Sequence, residues 1–220
     1  IQTISSSNLG ISTVVSFWPH PREVLFGETR LRLDLPSEKA VLLKPLGVKQ
    51  LVLVPFDLSL ASLSAKEFFD QVLIKQLQAK HISIGANFRF GKNREGDPAI
   101  LSKLGRESNV EVSIGKIIED DQGRMSSSRI RSALRAGDLK LTNILLGREY
   151  SFCGSVVSGK GLGKEIGWPT ANLEVDARKL LPGPGVYAAF AKEADTEVFF
   201  PAVMNLGLQP TVDPNAHSAT

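Results

Sequence analysis

The feature that most constrains this chain is the alternation, over its first 120 residues, of short apolar runs with helix-like stretches. Thr13-Val14-Val15-Ser16-Phe17 is β-branched and apolar and stops at Pro19, and Gln50-Leu51-Val52-Leu53-Val54 is nearly continuous and ends at Pro55. His81-Ile82-Ser83-Ile84 and Val110-Glu111-Val112-Ser113-Ile114 are two further runs of the same kind. Such runs suit strands buried on both faces, as in parallel sheets. Between them, Ser64-Ala65-Lys66-Glu67 reads as a capping box opening a helix, with Phe68, Val72, Leu73 and Leu77 at helical spacing. Strand, helix and strand in this order imply right-handed crossovers, so the first half is expected to be a doubly wound α/β domain that binds ligands at the carboxyl ends of its strands.

The texture changes further on. Ser126-Ser127-Ser128 followed by Arg129-Ile130-Arg131 reads as an N-capped helix closed by Gly137, and Asp138 caps a second one, Leu139 to Leu146, ending at Gly147. From Tyr150 onward come short β-type runs (Ser155 to Val157, Gly185 to Phe190, Val198 to Phe200) separated by glycine and proline, the signature of a small antiparallel barrel or sandwich. A domain boundary is expected at about residues 147 to 150, giving domains 1–147 and 148–220, the second an antiparallel β-barrel.

Composition narrows the function classes. Twenty-six basic residues against 23 acidic ones leave a net charge of only +3, too small to argue for nucleic acid. No apolar run approaches the roughly 20 residues of a membrane helix. A single cysteine, Cys153, excludes an internal disulfide and a cysteine-rich zinc site. The opening residues lack a secretory signal pattern, so a soluble cytoplasmic protein is expected, with no membrane or nucleic-acid partner. The basic residues are clustered instead: Arg89, Lys92 and Arg94 in one segment, Arg124, Arg129, Arg131 and Arg135 in another. Local charge of this kind suits a nucleotide; a solvated surface face is the alternative.

Four segments carry residue types with chemical use. In Phe17-Trp18-Pro19-His20-Pro21-Arg22 two prolines stiffen a loop that presents an imidazole and an apolar edge, or form an ordinary strand exit. In Gly85 to Asp97, three glycines permit close backbone approach to a ligand, Asn87 offers donor and acceptor, and Arg89 and Arg94 suit phosphate. Phe88 and Phe90 there either flank a flat ring or anchor the loop. Ser126 to Arg131 is a helix start with hydroxyls and two arginines, a natural phosphate site or a plain N-cap. The fourth segment runs from Gly159 to Asn172. It is not a P-loop, but Gly159, Gly161 and Gly163 can wrap a phosphate chain, and Thr170 and Asn172 bear oxygens suited to Mg²⁺.

In order along the chain, these segments resemble the prokaryotic bifunctional riboflavin kinase and FAD synthetase family. The Phe-x-Pro-His-Pro loop, the segment from Gly85 to Asp97 and the Ser-Arg helix start are similar to its FMN adenylyltransferase module, of the nucleotidylyltransferase superfamily. Leu145 to Tyr150, the glycine-rich Pro-Thr-Ala-Asn segment, Pro184 to Tyr187 and Asn205 to Thr211 are similar to its riboflavin kinase barrel. The resemblance implies ATP-dependent phosphorylation of riboflavin to FMN, then adenylylation of FMN to FAD with release of pyrophosphate, both with Mg²⁺. It assigns Asn87, Ser127, Arg129 and Arg131 to ATP and the forming pyrophosphate. Pro19, His20, Pro21 and Phe88 go to the flavin, Gly159, Gly161 and Gly163 to the kinase nucleotide, and Thr170 and Asn172 to Mg²⁺. It leaves homo-oligomers open.

Two departures accompany the match. The superfamily's His-x-Gly-His motif is not found in the chain, whose histidines are His20, His81 and His217, and is expected upstream of Ile1. The kinase's catalytic glutamate is expected beyond Thr220. The segment by itself is therefore expected to turn over weakly or not at all, as one cut at both ends; Trp168, where the family usually has Phe, is a tolerable exchange. The competing reading is a non-catalytic flavin- or nucleotide-binding module, a degenerate paralogue.

Overall fold

A computed structural model describes residues 10–28, 31–158, 167, 170–208 and 217–219. The chain divides into two compact units, and the division is not a single cut. The first holds residues up to Arg30 and Lys39–Arg124; the second holds Leu31–Glu38 and everything from Met125. The architecture is mixed α/β.

In the first unit, β1 (Thr13–Trp18) pairs in parallel with β2 (Gln50–Pro55), Thr13 opposite Gln50 and Phe17 opposite Val54. After β1 comes the short helix α1 (Pro21–Phe26), which stops at Gly27; α2 (Pro36–Leu43) precedes β2. A second parallel pair joins β3 (His81–Gly85) to β4 (Glu111–Gly115), in register from His81–Glu111 to Gly85–Gly115. Parallel neighbours need a crossover. Between β1 and β2 it contains α1 and α2, and between β3 and β4 it contains the helix Pro98–Glu107. Continuous apolar strands imply burial on both faces, yet Val15, Leu53 and Ile114 are 39%, 38% and 47% exposed. Among the described residues each parallel sheet is only two strands wide, so these faces are incompletely covered.

The core of this unit lies beside the helical stretch after β2. Following α3 (Leu58–Ser62), Ser64 opens α4 (Ala65–Phe68): its hydroxyl accepts from Glu67 N at 3.2 Å, and Glu67 Oε2 accepts from Ser64 N at 2.8 Å. The capping box thus forms as expected, but the helix then widens into a π-helical stretch, Phe69–Gln76. Phe68, Phe69 and Val72 are buried with Ala65, Phe90, Leu101 and Leu104, the last two from α5 (Pro98–Glu107). Leu73 and Leu77 pack at its edge, as do Phe17, Ile82, Ile84 and Val112 from the strands. The unit closes with a small hairpin of β5 (Glu119–Asp120) and β6 (Gly123–Arg124).

In the second unit, Ser126 caps α6 (Ser127–Arg135), its hydroxyl accepting from Arg129 N at 3.3 Å. Asp138 caps α7 (Leu139–Leu146), accepting from Leu141 N at 2.9 Å, and Gly147 ends that helix at φ 67°. Ile130, Ala133, Leu134 and Leu145 are buried hydrophobic positions of this pair. The strands β7 (Ser155–Val157), β8 (Asn172–Glu174), β9 (Gly185–Ala191), β10 (Phe200–Leu208) and β11 (His217–Ala219) hydrogen-bond in the order β7-β8-β11-β10-β9. All of these pairs are antiparallel. The run Val198 to Phe200 reads as a strand in isolation. In the structure the strand starts only at Phe200, where pairing with Ala191 begins, and runs on through Asn205-Leu206-Gly207.

Candidate functional site

The residues singled out in the first unit sit at the carboxyl ends of β1 and β3, where a parallel strand delivers its loop to ligand. At the end of β1 the Trp18–Pro19 peptide is cis, and His20 turns the chain into α1. Its Nδ1 accepts from Arg22 N at 3.1 Å, and its own N–H donates to Glu23 Oε2 at 3.1 Å. This is a capping box with histidine in the serine position. His20 is therefore held by its own helix start, with Nδ1 turned to the backbone; Pro19 is exposed and Pro21 half-buried.

At the end of β3, Asn87 is exposed on the loop that follows. One of its side-chain amide atoms lies 2.7 and 2.9 Å from the two terminal nitrogens of Arg124; assigned as the oxygen, the only amide atom able to accept, it takes a hydrogen bond from each. The guanidinium fork is the group suited to bidentate phosphate contact, so Asn87 and Arg124 form one polar pair at the strand end. Arg124 stands out in the sequence only as a member of a basic cluster. What brings it to Asn87 is the tight turn of the β5–β6 hairpin, for which Asp120 to Gly123 was the readable signal.

The rest of that loop is built differently from its expected use. Phe90 and Gly96 exchange backbone hydrogen bonds at 3.1 and 2.9 Å, closing the loop on itself. Lys92 N donates to Leu63 O at 2.7 Å, and Glu95 Oε1 accepts from Ala65 N at 2.7 Å, so the loop is pinned to the start of α4. Two of its glycines let the protein approach itself closely. A Cβ on Gly91, at φ 73°, would lie 2.6 Å from Ala65 N, and one on Gly96 would lie 2.6 Å from the Phe90 ring. Phe88 stacks on Phe90, ring centroids 5.5 Å apart and planes 16° from parallel, while Phe90 is buried against Phe68. The anchoring reading of these two rings accounts for Phe90 and for one face of Phe88. Arg89 forms an ion pair with Asp97 at 3.3 Å. Asp97 caps α5 through Ile100 N at 2.8 Å, and that backbone hydrogen bond is the main reason its pKa is held below the ordinary carboxylate value.

In the second unit, Ser127 and Arg129 lie in the first turn of α6, where backbone N–H groups have no intrahelical acceptor. Arg131 lies on the next turn, its Nη1 donating to Ser127 O at 3.1 Å and its Nε to Leu31 O at 3.4 Å. Thr170 is exposed just before β8, and Asn172 opens that strand opposite Val157. Their neutral oxygens fit a hard cation that keeps most of its water and shares the rest of its shell with phosphates. Among the described residues no cluster of histidine, cysteine, aspartate or glutamate is arranged to hold a metal. Gly159, Gly161 and Gly163 lie outside the described residues.

The most demanding polar site in the second unit was not read from the sequence. The Lys179 side chain is fully buried, and its ammonium donates to Glu38 Oε2 at 2.7 Å, Leu33 O at 2.7 Å and Ser151 O at 2.8 Å. It also lies 4.7 Å from the centroid of the Tyr150 ring. The Tyr150 hydroxyl is within hydrogen-bond reach of the Leu180 and Leu33 carbonyls, and burial is the first cause of its pKa being raised.

Comparison with known proteins bears on both units. The family model described as FAD synthetase matches residues 1–129, and that described as riboflavin kinase matches residues 146–220. The chain is 38% identical over 213 residues to the bifunctional riboflavin kinase/FMN adenylyltransferase of Pseudomonas fluorescens, covering 95% of this chain and 67% of that protein. Proteins of the same description from Escherichia coli K12 and Bacillus subtilis are each 37% identical, over 90% of this chain and 63% and 62% of their own lengths. The chain thus spans just under or about two thirds of the length of these relatives. A crystal structure described as a macrolide-efflux protein from Streptococcus pneumoniae superposes with a TM-score of 0.79 at 33% identity, covering 89% of this chain and 63% of that one. Among the described residues no helix is long and apolar enough to cross a membrane.

Proposed function

We infer from one premise, that the chain belongs to the FAD synthetase family and carries a riboflavin kinase segment behind it, that its full-length form makes both flavin nucleotides. Riboflavin is phosphorylated by ATP to FMN, and FMN is adenylylated by a second ATP to FAD. In the first step the terminal ribityl oxygen forms a bond to the γ-phosphorus as the bond to ADP breaks, and the hydroxyl proton passes to a base. In the second, a phosphate oxygen of FMN bonds to the α-phosphorus and pyrophosphate leaves. Both are in-line displacements, in which a protein contributes mainly position and charge.

The observation that carries the adenylylation half is the Asn87–Arg124 pair off the end of β3. A guanidinium already oriented by an amide oxygen loses little freedom on meeting phosphate. In our reading Asn87 and Arg124 hold ATP phosphates, and Ser127, Arg129 and Arg131 keep the ATP role that the family resemblance implies for them. Pro19, His20, Pro21 and the open side of Phe88 border the flavin. For the kinase, Gly159, Gly161 and Gly163 cover the nucleotide, and Thr170 and Asn172 hold Mg²⁺. That ion, when bound, neutralises charge on the transferring phosphate. The reading includes a doubly wound sheet for the first domain, 1–147, an antiparallel barrel for the second, 148–220, and a cytoplasmic setting.

The test is product chromatography of the full-length protein given riboflavin and MgATP. FMN appears first and FAD follows; Asn87→Ala leaves FMN formation intact and lowers FAD formation from FMN. Neither product from the unaltered protein overturns the assignment, and an unchanged FAD rate in the variant overturns the role of Asn87.

A further inference from the structure

The second unit contains one piece of chain that the sequence order does not supply. Leu31–Glu38 precedes it by nearly ninety positions, yet groups with it. Its attachments are numerous and mostly backbone-directed. Arg32 N donates to Arg178 O at 2.7 Å and Leu180 N to Arg32 O at 2.8 Å, so the segment lies along residues 178–180 as a short parallel bridge. Arg148 meets Asp34 at 2.6 Å, and Cys153 N donates to Glu38 Oε1 at 3.2 Å.

Lys179 shows what this arrangement is for. A buried ammonium is tolerated only when its charge and all three protons are met. Two of its three acceptors, Leu33 O and Glu38 Oε2, come from the segment, and only Ser151 O comes from elsewhere. If the segment left, Lys179 would lose its carboxylate partner and one carbonyl together and keep only the Ser151 carbonyl among its three protein acceptors. The cost of that state locks the segment in place. Glu38 is equally committed, its side chain 9% exposed and Oε2 also accepting from Leu35 N at 2.8 Å.

We propose that Leu31–Glu38 is a structural strap of the second unit, latched by the Lys179–Glu38 pair, and that this unit holds its native packing only with the strap docked. The unit is discontinuous in sequence: a piece beginning at Met125 lacks two of the three acceptors of its own buried lysine. The first half of the sequence thereby controls the integrity of the second through a segment that belongs to neither expected binding site.

Hydrogen–deuterium exchange on the whole chain, near neutral pH, tests this with Lys179→Met and Glu38→Gln. Each variant is expected to speed exchange of the Arg32, Leu35, Cys153 and Leu180 amides on the order of a hundredfold or more, the consequence of breaking a buried pair. The amides of α5 in the first unit keep their wild-type rates. Tyr150→Phe, which removes only a hydroxyl shared by Leu33 and Leu180, is the milder variant and speeds the same amides about tenfold. Wild-type exchange rates at the strap in all three variants would overturn the proposal. So would acceleration as large in α5 as in the strap.

Discussion

Tyr150 makes a sharp prediction because its hydroxyl is both buried and proton-bearing. Folding removes the phenol from water and sets its oxygen against the Leu180 and Leu33 carbonyls, which accept from a neutral hydroxyl and repel a phenolate. Burial, then the charges of Asp34 and Glu38, raise its pKa above the ordinary value of 10.0. A group whose folded pKa is raised gives stability that is complete below the unfolded pKa and is lost as pH rises toward the folded one. At one pH unit above the unfolded value, the unfolded phenol is mostly ionised and the folded one is not, a linkage of about 1.4 kcal/mol before solvent access is considered. The ring is not fully buried, so about 1 kcal/mol is the working figure. Tyr150→Phe loses the hydroxyl and leaves the Leu180 carbonyl short of this donor, while Leu33 O keeps Lys179, lowering stability near neutral pH by about 1–3 kcal/mol. It also loses the linkage. Urea unfolding of both proteins from neutral pH to one unit above the phenol pKa therefore gives a gap that narrows by about 1 kcal/mol on the alkaline side. A gap that stays constant, or widens, would refute the reasoning, since every other titrating group is common to both.

The first unit offers two further measurements. Phe69 is fully buried at the centre of its cluster, so Phe69→Ala should lower unfolding stability by about 3–5 kcal/mol; a loss below about 1 kcal/mol would mean that the π-helical stretch relaxes to fill the space. Ser64→Ala removes the hydroxyl half of an exposed capping box and should lower stability by about 1 kcal/mol in urea titration. Hydrogen bonds from Ser64, its side chain first, hold Glu67 below its ordinary pKa of 4.5. The contribution of that carboxylate is present above this value and fades as pH falls below it, so the wild type should lose part of its advantage over Ser64→Ala in acid, keeping the part that comes from the hydroxyl accepting from Glu67 N.

Much of the framework was legible because it is local. The strand runs at Thr13, Gln50, His81 and Glu111 and the caps at Ser64, Ser126 and Asp138 are decided within a few residues, and each is found. The misses are non-local. Nothing near Val198 reveals that the strand waits until Phe200, because its start is set by a partner strand at Ala191. Nor does the helical spacing of Phe68, Val72, Leu73 and Leu77 separate an α-helix from a π-helical stretch, since both turn those residues toward one core. Lys179 reads as an ordinary surface lysine in Asp176-Ala177-Arg178-Lys179, and its carboxylate partner lies 141 positions away.

In the loop after β3, residue type alone does not separate Arg89 from Asn87 as a candidate ligand group. Arg89, Lys92 and Arg94 mark the segment as basic, and by charge alone Arg89 is as good a phosphate ligand as any. In the structure it faces Asp97, which is fixed by its duty as the cap of α5. Both groups are partly solvated, at 44% and 34% side-chain exposure, so the pair itself adds little stability. Its effect on a ligand is larger: a phosphate at Arg89 would approach a carboxylate that cannot swing away without uncapping a helix. Asn87 meets the opposite condition, since its partner Arg124 brings positive charge to the proposed phosphate site. The sequence contained the distinguishing sign, because Asp97-Pro98 is a cap followed by a first-turn proline and so announces a carboxylate with a fixed place. Arg89, paired with a carboxylate so placed, is on this reasoning a poorer phosphate candidate than Arg124.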